Sequence, residues 1–468
     1  MTQPEPAGRR QRLLRRAAES VALLVVAVVA IAVAIRATPM QTVNVAGQVV
    51  TVGTTAPSWS LSGPGEVDLF GQSLPTTLHF PGPLRPRLAL SQISINSELT
   101  NFVRGANAAD AERTLGSRLA DGWKHYFAWE AAIAGLGALV LLGAVAGWRR
   151  LPPRTTIKLL VAGLLVTEAI NAGAIIITGS QAPSLLRQVN SLNQLVGSSP
   201  PPQFHVKGRP LPKVQAVVLG DSTAAGEGLP IATSSSRLSH VCGRSQDSYA
   251  QDLAAVNGWH VLNLACSGAS IADGLLGPQF RNGRLVPPQL AAAQRATDAS
   301  VVIVNVGAND VGWSLMVGYC AVAPRCDDKA TTAFFQQQLA SFSKDYLQLL
   351  SQLAVLPGHP RVIINQYYNP FGPEQSCLRP AGLTPAKLAT LTSRLATLNA
   401  VLSKGAADFG FLSPQPDFTG HQLCTSQPYV QGKGDPAPLH PTALGQLAIA
   451  LTDQAALRVP VPPAAGLR

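Results

Sequence analysis

Three long apolar runs, followed by a series of short β-branched ones, divide this chain. Ala17 to Ile35 is apolar except for Glu19 and Ser20, and Phe127 to Trp148 is broken only by Glu130. The third run, Leu159 to Thr178, carries Glu168 near its middle and Asn171 almost one turn later. At about 1.5 Å per helical residue each is long enough to cross a hydrocarbon core of about 30 Å. The first run also fits a cleaved signal peptide. Its core is long for one, and Ala34-Ile35-Arg36-Ala37 is a poor small-residue cleavage site, so an anchor is expected. An intramembrane carboxyl such as Glu168 is costly unless partnered, and a hydrogen bond to a neighbouring helix is the expected arrangement. Three helices leave room for a membrane partner subunit.

Between the first two runs, Thr42–Val45, Gln48–Val52 and Leu88–Ile95 have strand character, and Gly and Pro punctuate them. From about Ala106 the pattern turns helical and leads into the second run. After the third run comes a polar stretch containing Ser198-Ser199-Pro200-Pro201-Pro202, which reads as a semi-extended linker. Strand-like runs then recur at Val217–Gly220, Val261–Leu264, Val301–Val306 and Val362–Gln366, with a weaker one at Phe409–Leu412. Helical patterns lie between them, among them Thr332–Leu353 and Thr384–Phe409. This alternation predicts an α/β fold, a parallel sheet sandwiched between helices.

Charged residues make up only 13% of the chain, in keeping with membrane segments. The net charge of +11 does not imply nucleic acid, because Arg9, Arg10, Arg12, Arg15 and Arg16 supply nearly half of it directly before the first apolar run. That basic tail and the short basic loop Arg149–Lys158 both belong on the cytoplasmic side. The predicted order is a cytoplasmic tail (1–16), a membrane helix (17–36), an extracytoplasmic β-rich domain (37–125) and a second helix (126–148). A cytoplasmic loop (149–158), a third helix (159–179), a linker (180–213) and an extracytoplasmic α/β domain (214–468) complete it. All six cysteines fall between Cys242 and Cys424, which fits three disulfides in an oxidising compartment. None has the close histidine spacing of a zinc site, and no metal or organic cofactor is called for.

The predicted strand ends carry the chemistry. The first ends in Gly220-Asp221-Ser222, the second leads to Cys266-Ser267-Gly268-Ala269, and the third ends in Gly307-Ala308-Asn309-Asp310. Leu439-His440-Pro441-Thr442 opens a helix near the C-terminus. Acyl transfer needs a nucleophile, a base and donors aimed at the developing oxyanion. Ser222 and His440 are candidates for the first two. The N–H groups of Ser222 and Gly268 and the Asn309 side chain are candidates for the donors. Asp221 and Asp310 read as turn-holding residues, and His421 lacks the helix start that follows His440.

These four blocks, in this order, resemble those of the SGNH (GDSL-type) hydrolases, over roughly Val214 to Leu457. The likeness is strongest to the disulfide-bonded secreted actinobacterial esterases and lipases, through Cys242-Gly243-Arg244-Ser245 and Leu264-Ala265-Cys266-Ser267-Gly268-Ala269. The resemblance implies a three-layer α/β/α sandwich, a serine esterase acting on a lipid or acylated envelope glycan, and pairs Cys242–Cys266, Cys320–Cys326 and Cys377–Cys424. Acyl transfer to an envelope glycan or glycolipid, or a non-catalytic assembly role, are the rival readings. One position departs from the family pattern: Ala437 stands where an aspartate usually precedes the histidine by three residues. Either Asp435 is a third member of the site, or a backbone carbonyl, with Ala437 the candidate, orients His440.

Overall fold

The computed structural model describes residues 7–45, 48–56, 58, 60, 62–82, 84–93, 108–186, 196–197 and 209–458. The Ser198–Pro202 linker and the end of the predicted strand at Ser94 and Ile95 lie outside them. Contacts divide the chain into two compact units. One is built from residues up to 197, and the other from residues 198–468 with the short pieces 69–73 and 92–96.

The first unit contains three long helices, α1 (Ala7–Ala37), α2 (Ala108–Trp148) and α3 (Pro153–Leu186). Segments Ala17–Ala37, Asp121–Trp148 and Pro153–Thr178 are each long and apolar enough to cross a membrane. Small residues form their seams: Ala27, Ala30 and Ala34 of α1 and Ala134, Ala138 and Ala146 of α2 are buried, while Val25, Leu136, Val140 and Leu165 stay exposed. Close backbone approach between small residues with apolar side chains turned outward is how helices associate in lipid. Among the described residues Glu168 has no hydrogen-bond partner on a neighbouring helix, contrary to expectation. Asn171 Nδ2 donates instead to Oε2 of the buried Glu130 at 2.7 Å, and Glu168 lines a shallow pocket with Ala131, Ala132 and Gly135. Asn171 lies three residues after Glu168 on the same face of α3, and both side chains meet α2: Asn171 reaches Glu130, and Glu168 lies against Gly135.

A five-stranded sheet accompanies these helices: β1 (Gln41–Val45), β2 (Gln48–Thr54), β3 (Ser62–Leu69), β4 (Gln72–Pro81) and β5 (Pro86–Ile93), in the order β1-β2-β5-β3-β4. The aromatic start of the second apolar run is a tether to it. Trp123 Nε1 donates to Gly53 O at 3.0 Å, and Tyr126 Oη bonds Thr54 Oγ1 at 2.9 Å and Ile35 O at 3.2 Å.

The second unit is a three-layer α/β/α sandwich. Its four-stranded sheet has the order β11-β10-β6-β7, with β6 (Ala216–Gly220), β7 (Val261–Asn263), β10 (Val301–Asn305) and β11 (Arg361–Ile364) all parallel. Every residue of β6 and β10 is buried, as expected for central strands covered on both faces. The weak run near Leu412 is a single parallel bridge to Ile363. A short hairpin, β8 (Gln279–Arg281) and β9 (Arg284–Val286), stands apart from this sheet. The helices are α4 (Ser222–Ala225), α5 (Arg237–Cys242), α6 (Tyr249–Asn257), α7 (Gln289–Ala293), α8 (Trp313–Val322), α9 (Lys329–Ala354), α10 (Pro385–Asp408) and α11 (Ala443–Arg458). Helix α6 packs on α11 and α9 on α10. Disulfides join Cys242 to Cys266, Cys320 to Cys326 and Cys377 to Cys424.

Buried carboxyls give this unit a pH signature. Asp453 of α11 is fully buried, accepts a hydrogen bond from Asn365 Nδ2 at 3.1 Å through one oxygen and, among the described residues, leaves the other without a partner. Burial raises its pKa to about 8. A folded-state value above the unfolded one favours the neutral form, so its contribution is full below about pH 4 and is lost as pH rises through about 8. Asp453→Asn should therefore flatten the fall in stability between pH 5 and 8, by up to about 1.4 kcal/mol per pH unit, in denaturation midpoints measured at the two pH values.

Candidate active site

Strand β6 ends in a tight turn. Gly220 has φ +147°, and a Cβ there would collide with Asn305 O. Asp221 then caps the single-turn helix α4, accepting the Thr223 N–H at 2.9 Å, and Ser222 emerges half-buried as the first helical residue. Its Oγ lies 2.8 Å from His440 Nε2. The two residues are 218 positions apart in sequence.

The histidine stands on a loop held from several sides. Leu439 has φ +71°, a strained conformation for a branched side chain, and Tyr368 Oη donates to its carbonyl at 2.7 Å. Gln431, buried and not singled out by sequence, is the hub. Its Nε2 donates to Glu227 O and Pro441 O, both at 2.9 Å, and its Oε1 accepts the Ala437 N–H at 3.2 Å. His440 Nδ1 faces Pro438 O at 3.2 Å. The orienting carbonyl is thus that of Pro438 rather than Ala437, whose carbonyl accepts the His440 backbone N–H. The turn at Leu439 swings the imidazole back to the carbonyl two residues before it. Asp435 is not a third member of the site: it is exposed, and its Oδ2 accepts the Gly432 N–H at 2.7 Å. Asp435→Ala should accordingly keep kcat/KM on nitrophenyl butyrate within about twofold, the range of a surface substitution.

The loop that leads to Gly268 is held close to the serine turn by hydrogen bonds. Cys266 N–H donates to Gly220 O at 3.0 Å, and Arg244 donates from Nε to Ala265 O (2.7 Å) and from Nη2 to Leu264 O (2.9 Å). Desolvation lowers the Arg244 pKa to about 10, still far above neutral, so the clamp stays charged. Gly268 follows with φ +79° and an exposed backbone. Asn309 is exposed too, and its Nδ2 donates to Ala269 O at 2.9 Å, leaving a second N–H on the same nitrogen. Among the described residues neither the Ser222 nor the Gly268 N–H has an acceptor in the chain.

Asp221 and Asp310 act as buttresses. Asp221 is buried and accepts Tyr367 Oη–H at 2.6 Å, while the same Tyr367 oxygen accepts the Ala308 N–H at 3.0 Å. Tyr367 therefore couples the turn bearing Ser222 to the turn bearing Asn309. Burial pushes Asp221 up to about 6. Asp310 accepts the Ile271 N–H at 2.9 Å, tying the Asn309 turn to the loop after Gly268, and burial pushes it to about 7. His421 bonds Gln427 O at 2.9 Å and stacks on Tyr429 at 4.0 Å. Among the described residues no group of three or more His, Cys, Asp or Glu side chains is placed to hold a metal ion.

Comparison with known proteins places this half of the chain in context. The profile of the GDSL-like lipase/acylhydrolase family matches residues 218–448. A lipase from Streptomyces rimosus is 31% identical over 252 residues, which is 50% of this chain and 84% of the lipase. Lipase 1 from Streptomyces coelicolor is 27% identical over 237 residues, 49% of this chain and 81% of its own. The crystal structure of the extracellular lipase from Streptomyces rimosus superimposes with a TM-score of 0.40 and 25% identity, covering 52% of this chain and 99% of the lipase.

Proposed function

Because the chain belongs to the GDSL-like lipase/acylhydrolase family, and is thus a carboxylic ester hydrolase, we propose that it is a membrane-anchored serine esterase working on the extracytoplasmic face. Its substrates are acyl esters of lipids or of acylated envelope glycans. The observation that carries this reading is the 2.8 Å contact between Ser222 Oγ and His440 Nε2. With Nδ1–H donating to Pro438 O, the proton sits on Nδ1 and the Nε2 lone pair is free to take the serine proton. Ser222 Oγ attacks the ester carbonyl, and the oxyanion is received by the Ser222 and Gly268 N–H groups and by Asn309 Nδ2. His440 returns the proton to the departing alcohol, and water, activated by the same imidazole, releases the acid. A carbonyl partner stabilises the imidazolium less than a buried carboxylate does.

The disulfides and the basic cytoplasmic segments support the outward orientation of the catalytic unit. Protease added to intact spheroplasts should remove a C-terminal tag while sparing an N-terminal one; the reverse pattern would refute the orientation. Mass analysis of envelope lipids and glycans after deletion tests the reaction. Surplus acyl groups are expected from a lost esterase, whereas missing acyl groups would mark the enzyme as an acyltransferase.

A further inference from the structure

The β8–β9 hairpin is closed by Asn282 (φ +48°) and Gly283 (φ +72°), the two left-handed residues of a tight hairpin turn. Its alternation is clear: Phe280 and Leu285 pair across the strands and are exposed, while Gln279 and Val286 pair on the buried face. Arg281 shares the face of Gln279. Its Nη1 lies 3.1 Å from where a Cβ on Gly268 would stand, so the guanidinium sits beside the residue whose N–H is assigned to the oxyanion.

This guanidinium is held but under-used. Nη2 faces Glu227 Oε1 at 3.3 Å, a long contact, and is the one nitrogen of Arg281 with an acceptor among the described residues. Nε is buried and has none. The other oxygen of Glu227 lies 3.7 Å from His440 Nε2, the nitrogen that meets Ser222, and pairs with it only while the imidazole carries a second proton. A fork of five N–H donors, partly desolvated, with most of its capacity unspent and only a loosely held internal carboxylate, is suited to take an external anion in two-point contact.

Building on the esterase reading, we propose that Arg281 is an anion-binding subsite of the reaction centre, selecting esters that carry a phosphodiester or carboxylate close to the scissile carbonyl. The incoming anion takes over Nη1 and Nη2, and Glu227 turns from Arg281 to the solvent side of His440. A neutral ester leaves the internal pair in place and forgoes the charged contact. Specificity therefore resides in this ion-pair exchange, beside a nucleophile, base and oxyanion donors shared by both kinds of ester.

Kinetics on the full-length, detergent-solubilised protein test this with dibutanoylglycerol, dibutanoyl phosphatidylglycerol and O-butanoyl malate. The wild type should favour one or both anionic esters in kcat/KM by about 10- to 100-fold, the worth of a charged hydrogen-bonded contact, chiefly through KM. The phosphodiester and carboxylate arms identify which anion the subsite fits. Arg281→Met should bring the anionic-to-neutral ratio close to one, Arg281→Lys should retain part of it, and inorganic phosphate should compete with dibutanoylglycerol in the wild type but not in Arg281→Met. Equal kcat/KM for all three esters in the wild type, or a ratio unchanged in Arg281→Met, would overturn the subsite while leaving the esterase intact. A wild type that hydrolyses none of the three would overturn the esterase reading and the subsite with it.

Discussion

Ser222→Ala and His440→Ala should each lower kcat/KM on a nitrophenyl ester by about 10⁴- to 10⁶-fold, and the double variant should be no slower than the worse single one. The expectation follows from the geometry. In the proposed mechanism the imidazole has one task, removing and returning the proton of an oxygen 2.8 Å away, so with that oxygen gone it has nothing to act on. What survives comes from binding and the oxyanion donors, which neither substitution touches. Multiplicative losses would mean that the two side chains act in separate steps. A His440→Ala enzyme slowed less than tenfold would point to another base.

Gly220→Ala should cost about 3 kcal/mol of stability, combining overpacking with a backbone conformation that a Cβ resists. The new methyl would be driven against Asn305 O, the acceptor of the Asp221 N–H at 3.0 Å. Gly220 is also gripped by Gln289, which accepts its N–H at 2.8 Å and donates to its carbonyl at 2.9 Å, so it cannot simply move aside. Relief has to come from the turn itself, which displaces Ser222, and a shift near 1 Å is worth about a 100-fold loss of rate. Denaturant midpoints and ester turnover should fall together. Gly434→Ala is the control: nothing lies near its Cβ and its φ is ordinary, so both quantities should stay put.

The catalytic unit was the more legible part of the chain because its strands are buried on both faces. Runs such as Val217–Leu219 and Val301–Val304 announce themselves without periodicity, and the chemistry follows at their carboxyl ends. The small sheet was harder. Strands β3 and β4 carry Pro64 and Pro75, which argue against central strands, and both escaped a reading based on β-branched runs. The β8–β9 hairpin did leave a signal, Asn282-Gly283, but with three-residue arms it reads as a loop.

Within the site, the order of the motif blocks paired Ser222 with His440 but could not choose the orienting group. That choice depends on the positive φ at Leu439, a tertiary outcome enforced by Tyr368 and Gln431 from elsewhere in the chain. For the same reason Gln431 was invisible: a lone glutamine becomes a hub only when the loop folds around it. The helix pair tells a similar story. Both Glu130 and Glu168 were visible as carboxyls in apolar runs, but which of them met Asn171 was set by how α2 and α3 rotate against each other.

Treatment of the intact protein with an alkyl fluorophosphonate, followed by peptide mass mapping, identifies the nucleophile. A single covalent phosphonyl adduct is expected on Ser222, formed rapidly in the wild type and at a greatly reduced rate in His440→Ala. No adduct on a folded, disulfide-intact protein, or an adduct on a different residue, would contradict it.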